Sequence, residues 1–190
     1  DDKILADWNG MTIAALAQAA LQYGEPAWRA AALEAYHFIA SHMQGEIAGE
    51  KRLRHSYRAG ATTPRDVLDD YAQMIRAALM LHQTGGDEHF LSDAQSWTHI
   101  CNKHFWDAAE GGYFLSADDA TDLVARTRNA FDNATPSGNG TMAENLARLY
   151  HLSGDEAYRR RCETIVDIFA RRPMEHYINM PGILNAFELL

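Results

Sequence analysis

Two consecutive aspartates, Asp69 and Asp70, open a predicted helix. A carboxylate in that position can act as a general acid, a general base or an acceptor for sugar hydroxyls. It can equally stabilise the positive end of the helix dipole. Neighbouring helical positions diverge by about 100°, so the two carboxylates cannot address one point. Tyr71 follows on the apolar stripe, where its hydroxyl serves either chemistry or a tethered core ring. Asp132 stands near a turn, as a turn former or as a second carboxylate. If Asp70 and Asp132 faced each other across a cleft, their separation would decide between retaining and inverting glycoside hydrolysis. The catalytic candidates are therefore Asp70, Asp69, Tyr71 and Asp132.

Trp8, Asn9, Asn133, Ser137 and Asn139 are the residue types of a carbohydrate pocket: an indole to stack on a sugar, and amides to read its hydroxyls. Asn and Ser are also ordinary helix N-caps, and the two roles can coexist. Arg54, His55, Tyr57 and Arg58 form a basic-aromatic run, and Arg126 with Arg128 forms another. Such runs suit anion or hydroxyl recognition. They also suit solvated loop charges that pair with surplus carboxylates. Arg54 and Tyr57 join the binding candidates. Cys101 and His104, near His99, could share a helix face, but Trp97 shares it too and four convergent ligands are not evident. No metal and no cofactor is expected. No Gly-rich phosphate loop, nucleophile elbow or Cys-x-x-Cys occurs, which disfavours thiol-redox work.

The elements that must hold these residues read as amphipathic helices. Residues 10–23 place Ile13, Leu16, Ala17 and Ala20 on one face. A second helix starts at Glu25-Pro26, carries Trp28, Ala32, Ala35 and Ile39, and ends near Gly45. A third starts at Thr63-Pro64-Arg65-Asp66, a capping-box-like sequence. Further helices run over 87–105, 137–152 and 155–170, and Pro181 opens another. The joints Gly24-Glu25-Pro26-Ala27-Trp28, Gly86-Asp87-Glu88-His89-Phe90 and Gly154-Asp155-Glu156-Ala157-Tyr158 share one pattern. Gly suits a left-handed helix end, the acid caps the next helix, and the aromatic begins its buried stripe. The expected class is all-α: three repeated helical hairpins at about 8–45, 63–106 and 137–171, with a truncated further helix from about 181. In the connection from Asp107 to Pro136, Gly112–Leu115 and Leu123–Arg126 read as a short β-hairpin at the loop-rich rim. Long loops on a rigid helical scaffold are where sites gather.

Composition bounds the partners. The 190 residues are 47% hydrophobic and 23% charged, as expected of one globular domain. Seventeen Lys and Arg face 26 Asp and Glu, a net charge of −9. That disfavours nucleic-acid and anionic-membrane partners. Two cysteines make no disulfide framework, and a reducing, cytoplasmic setting is expected. No apolar run is long enough for a transmembrane helix, and no signal peptide is visible.

Several motifs together resemble the YyaL-type family of thioredoxin-domain-containing proteins. They are Asp1-Asp2-Lys3-Ile4-Leu5, Trp8-Asn9-Gly10-Met11, Ile13-Ala14-Ala15-Leu16-Ala17 and Leu68-Asp69-Asp70-Tyr71-Ala72. Phe105-Trp106-Asp107, Gly111-Gly112-Tyr113-Phe114 and Asn133-Ala134-Thr135-Pro136-Ser137-Gly138-Asn139 complete the set. The resemblance implies a thioredoxin-like domain followed by an (α/α)6 toroid of the six-hairpin glycosidase and sugar-epimerase type. This chain would be the later half of that toroid. It implies a carbohydrate ligand at the rim, with Asp70 as preferred acid or base. Epimerases of that fold use paired histidines on inner helices, whereas His82 and His151 lie at the far ends of theirs, which lowers the epimerase reading. The alternative is a non-catalytic scaffold serving a thioredoxin-like domain. A partial toroid exposes lateral apolar faces, so a homo-oligomer is expected.

Overall fold

The computed structural model describes residues 2–63, 65–121, 123–171 and 178–190. Asp1 and Pro64, both quoted above, lie outside the described residues. Among those described, most of the chain is helical: α1 (Ala6–Tyr23), α2 (Pro26–His42), α3 (Leu68–Gly85), α4 (Glu88–His104), α5 (Gly138–Ser153), α6 (Glu156–Ala170) and α7 (Pro181–Leu189). The helix ends lie where the repeated joints put them. Gly24, Gly86 and Gly154 end α1, α3 and α5 in the left-handed region, with φ of 68°, 72° and 72°. Asp87 accepts from the His89 N–H and Asp155 from the Ala157 N–H, so both acids cap the helix that follows. Glu25 makes no such cap.

The chain divides into two units, Asp1–Ile100 and Cys101–Leu190. In the first, α1 packs on α2 and α3. Its buried stripe, Ala6, Gly10, Ile13, Ala14, Ala17 and Ala20, is mostly small. That lets two helix backbones approach closely: a Cβ on Gly10 would sit 2.7 Å from the carbonyl carbon of Gln73 in α3. On α2, the Tyr36 ring meets Phe90 edge-on with centroids 5.0 Å apart, and its hydroxyl donates to Asp93 at 2.7 Å. α3 is buried on most of its circumference from Leu68 to Leu81.

The link between α2 and α3 folds into two small antiparallel sheets. Strand β2 (Gln44–Ile47) pairs with β3 (Glu50–Leu53), with Ile47 opposite Glu50. Strand β1 (Ile4–Leu5) pairs with β4 (Ser56–Arg58), which pairs with β5 (Ala61–Thr62). Both hairpins close through Ala-Gly. Ala48 and Gly49 have φ of 49° and 83°, and Ala59 and Gly60 have 49° and 86°. Two successive positive-φ residues give the turn whose twist matches antiparallel strands.

Four expectations need correction. The β-hairpin expected over 112–126 does not form among the described residues. A single bridge joins Trp106 to Tyr113, and the Leu115 N–H reaches the Thr127 carbonyl at 2.8 Å. Gly111 and Gly112 both take positive φ and break the extended run there. The third helix begins at Leu68, not at Thr63, because the Asp66 carboxylate is taken by Arg52 and Tyr71. Asp70 instead accepts the N–H of the helix-preceding Val67 at 3.1 Å. The second helix ends at His42, leaving Gly45 in β2. The first begins at Ala6, so Trp8, Asn9 and Gly10 lie within its opening turns.

In the second unit, α5 packs on α6 and α7. Every residue of α5 from Gly138 to Ala147 is buried, which marks it as an inner helix. A Cβ on Gly182 of α7 would lie 3.1 Å from the Gly140 Cα, so these two helices also cross at a glycine contact. Each unit keeps an open apolar groove. One, of about 500 Å³, is lined by Met11, Leu16 and Trp28. The other, of about 240 Å³, is lined by Phe169, Met180, Leu184 and Phe187. No helix among the described residues is long and apolar enough to cross a membrane.

Candidate functional site

At the start of α3, Asp70 is fully buried. One carboxylate oxygen accepts the Val67 N–H. The other lies 2.9 Å from Nδ1 of His55, whose side chain is 36% exposed. His55 reaches this position because the turn between β3 and β4 brings it over the helix. The His55 N–H bonds the Arg65 carbonyl at 3.0 Å, and its own carbonyl accepts the Ala6 N–H at 3.0 Å. Asp7, in the first turn of α1, completes the cluster, with one polar atom from each of Asp7, His55 and Asp70 within 4.8 Å of the others. Burial pushes the Asp70 carboxyl above the ordinary carboxylate range, and His55 pulls against it. The hydrogen bond to Asp70 raises the His55 imidazole, with the charges of Asp70, Asp7 and Asp69 adding to it and desolvation opposing. Both oxygens of Asp70 are already committed. The geometry is thus a buried acid orienting a half-exposed base, and a metal shell would have to break it.

Directly beside this pair is a buried ionic network. Arg52 donates twice to Asp66, from Nε at 2.8 Å and Nη2 at 3.0 Å. The Tyr71 hydroxyl donates to the same carboxylate at 2.8 Å and accepts the Leu53 N–H at 3.1 Å. These bonds lock β3 onto α3 and so fix the strand that leads to His55. Of the other candidates in this unit, Trp8 is exposed on α1, and Asn9 Nδ2 donates to the Leu5 carbonyl at 2.8 Å. Arg54 Nη2 donates to the Glu46 carbonyl at 3.0 Å, and the Tyr57 ring meets Phe38 edge-on at 5.2 Å. Asp69 is partly exposed, unlike its neighbour Asp70, as a 100° step around a helix requires.

The remaining candidates belong to the second unit. Asn139 is buried and bonded to two backbone segments. Its Oδ1 accepts the Tyr113 N–H at 2.7 Å, and its Nδ2 donates to the carbonyls of Tyr113 at 2.9 Å and Asn129 at 2.8 Å. Ser137 caps α5 through the Gly140 N–H. Asp132 accepts the Ser137 N–H at 2.6 Å and the Gly182 N–H at 2.8 Å, joining the loop to α7. Asn133 is exposed. Arg128 binds Asp107, Glu110 and the Gly111 carbonyl. Arg126 binds the Ser116 and His104 carbonyls and lies 4.2 Å over the Phe114 ring. Both arginines hold their own loop. His104 pairs with Asp118 at 2.8 Å, while Cys101 is buried and His99 exposed, so those two point away from each other.

His55 was read from sequence only as part of the basic-aromatic run, without a role beside Asp70, and Asp7 and the pairing of Arg52 with Asp66 were not singled out. The available signal was the pair of Ala-Gly turns, Ala48-Gly49 and Ala59-Gly60. They fold the link between α2 and α3 into strands that carry Arg52 and His55 to the helix start.

No family model matches the chain. Its sequence is 31% identical over 195 residues to spermatogenesis-associated protein 20 of Rattus norvegicus, covering 99% of this chain and 25% of that protein. The Homo sapiens protein of the same name is 28% identical over 196 residues, again covering 99% and 25%. The chain thus spans about a quarter of the length of the curated relatives it matches. Among solved structures, the GH76 α-mannanase of Bacteroides thetaiotaomicron superposes with a TM-score of 0.79 at 14% identity, covering 98% of this chain and 52% of that one. Cellobiose 2-epimerase from Spirochaeta thermophila gives 0.72 at 19%, covering 89% and 43%. An inactive α-1,6-mannanase of Salegentibacter sp., with two consecutive aspartates changed to asparagine and α-1,6-mannotriose bound, gives 0.75 at 13%, covering 90% and 48%. The fold is that of the six-hairpin glycosidase-like α/α toroids.

Proposed function

We propose that this chain is part of a carbohydrate-active α/α toroid whose acid–base group is His55, oriented by Asp70. The observation that carries the reading is the fully buried Asp70 bonded at 2.9 Å to half-exposed His55 at the start of an inner helix. A buried carboxylate on Nδ1 fixes the ring and leaves Nε2 as the nitrogen that meets a substrate. The hydrogen bond to Asp70 raises the His55 imidazole pKa, which favours the protonated ring that donation to a leaving oxygen requires. Asp69, partly exposed one position earlier, supplies the second carboxylate. The pair Asp69-Asp70 parallels the consecutive aspartates changed in the inactive α-1,6-mannanase. Trp8, exposed on α1, offers an indole face for stacking. Asp70 is thus a positioning residue, and His55 takes the role first given to it.

The test is turnover of α-1,6-mannobiose and cellobiose, followed by NMR of the sugar anomeric protons. His55→Gln should abolish turnover. Asp70→Asn should lower it and move the pH profile to lower pH, since the main cause of the raised imidazole pKa is gone. Full activity in His55→Gln would overturn the assignment. A second reading, a scaffold that serves another domain, is favoured by how many polar candidates are bonded to backbone. It predicts that neither sugar is bound or turned over. The homo-oligomer expected from exposed apolar faces is supported by the two grooves, and light scattering at micromolar concentration checks it.

A further inference from the structure

An open stripe runs along α3, whose circumference is otherwise buried. Between Leu68 and Leu81 only Asp69, Arg76 and Met80 keep partial exposure. Their spacing puts all three on one face of the helix. The stripe starts at the His55 end, where the charge of Asp69 is felt at the His55 imidazole. Arg76 stands two helical turns further along, a rise of about 10 Å. Side chains on a helix lean toward its N-terminus, which carries the Arg76 guanidinium back toward His55. Other arginines of this unit are committed. Arg52 binds Asp66, Arg58 binds Asp2, and Arg54 donates to the Glu46 carbonyl. Half-buried Arg76 has no hydrogen-bond or ion-pair partner among the described residues. Neighbouring α1 passes with Gly10 against the Gln73 backbone, and its next buried side chains, Ile13, Ala14 and Ala17, hold no acceptor. A guanidinium partly withdrawn from water and left without a counter-charge is a standing site for an anion. Its planar fork of donors matches a carboxylate held through both oxygens.

We propose that Arg76 is a specificity residue that grips a carboxylate of an acidic saccharide held at the His55–Asp70 site. The inference rests on the carbohydrate reading above and narrows its substrate class. His55 must approach the leaving oxygen to about 3 Å. The charged group at Arg76 therefore belongs to a part of the ligand further down α3, away from the bond that breaks, and Arg76 takes no part in the proton transfer. The experiment is isothermal titration calorimetry of the whole chain with digalacturonate and with its dimethyl ester, which keeps the hydroxyls and loses the charge. The acid should bind about tenfold tighter or more, the yield of one charge-assisted contact. That advantage should shrink as salt is raised. Arg76→Gln should bring the two affinities together. Arg76→Lys keeps the charge and loses the fork, so its preference should fall between, and it supplies the readout if Arg76→Gln fails to fold. Equal affinity for acid and ester in the parent chain would overturn the inference and leave the His55 assignment standing. A preference for the acid that survives both substitutions would do the same. Inorganic phosphate that displaces the acid at equal concentration would mark a free-anion site and overturn the saccharide assignment. Binding of neither sugar would overturn the carbohydrate reading and this inference together.

Discussion

Tyr71→Phe separates a structural hydroxyl from a chemical one. Removing the oxygen deletes two bonds at once. The first is the 2.8 Å donation to Asp66, whose acceptor is an ionised, buried carboxylate. A bond to a charged group contributes about 1.5–3 kcal/mol. The second is the 3.1 Å bond from the Leu53 N–H, a buried donor that would lose its acceptor at a cost of about 1–3 kcal/mol. Arg52 still holds Asp66 through two nitrogens, so the carboxylate keeps its counter-charge. The loss should therefore fall near the lower sum, about 2.5 kcal/mol. Urea unfolding followed by circular dichroism reads it as a lower midpoint at unchanged slope. A double-mutant cycle with Asp66→Asn should give a coupling of about 1–3 kcal/mol, as expected of residues in one network. A loss below about 0.5 kcal/mol, the level of an ordinary surface change, together with lost sugar turnover, would refute the reasoning and return Tyr71 to the chemistry.

Three further outcomes are expected. Stability should fall as pH rises from the ordinary carboxylate value toward the folded-state pKa of His55. Both Asp70 and His55 have raised folded pKa values, so the folded chain holds protons that the unfolded chain releases. The His55 contribution is complete below its unfolded value near 6.5 and is lost as pH passes the folded value. Asp70→Asn should flatten this slope and lower the His55 pKa in an NMR titration, and an unchanged pKa would sink the pairing. Gly10→Ala should lower the melting temperature, at a cost of about 1–3 kcal/mol, because its Cβ meets Gln73 backbone and not a movable side-chain tip. A variant as stable as the parent would mean α1 and α3 are not in close contact there. Cys162 is buried, its thiol pushed up to about 12 by desolvation, and Cys101 is buried too. Neither should react with a thiol reagent at neutral pH until denaturant is added, and rapid native labelling would contradict that burial.

The helices were legible because each carries its own punctuation. Gly24, Gly86 and Gly154 mark three ends, Asp87 and Asp155 mark two starts, and the stripes between them have helical period. These are local signals and depend little on the rest of the chain. The start of α3 was misread for the opposite reason. Thr63 to Asp66 has the local form of a cap, but Arg52, fourteen residues earlier, claims the Asp66 carboxylate. A competitor that distant leaves no mark in a capping pattern. The two hairpins before α3 were missed because Ala-Gly stands where Asn-Gly or Asp-Gly is the usual turn signal. The hairpin expected at 112–126 fails because paired glycines on the left-handed side outweigh alternation.

The same limit explains the site. Polar residues that suit a sugar, Asn, Ser, Asp, Arg and Tyr, are also those that satisfy loop backbone groups, which cannot be left unbonded once buried. Residue type alone cannot separate the two uses. Counting commitments can. Asn139 makes three backbone bonds, Asp132 two, and Arg126 and Arg128 close their own loop. The Tyr71 hydroxyl both donates and accepts. Side chains committed in this way build the rim and have little left for a ligand. His55 differs, because its bond to Asp70 uses one ring nitrogen and leaves the other. Fixing the rim with one set of polar residues is what allows His55 to be held through one ring nitrogen while the other stays available, which is the condition for acting on a ligand.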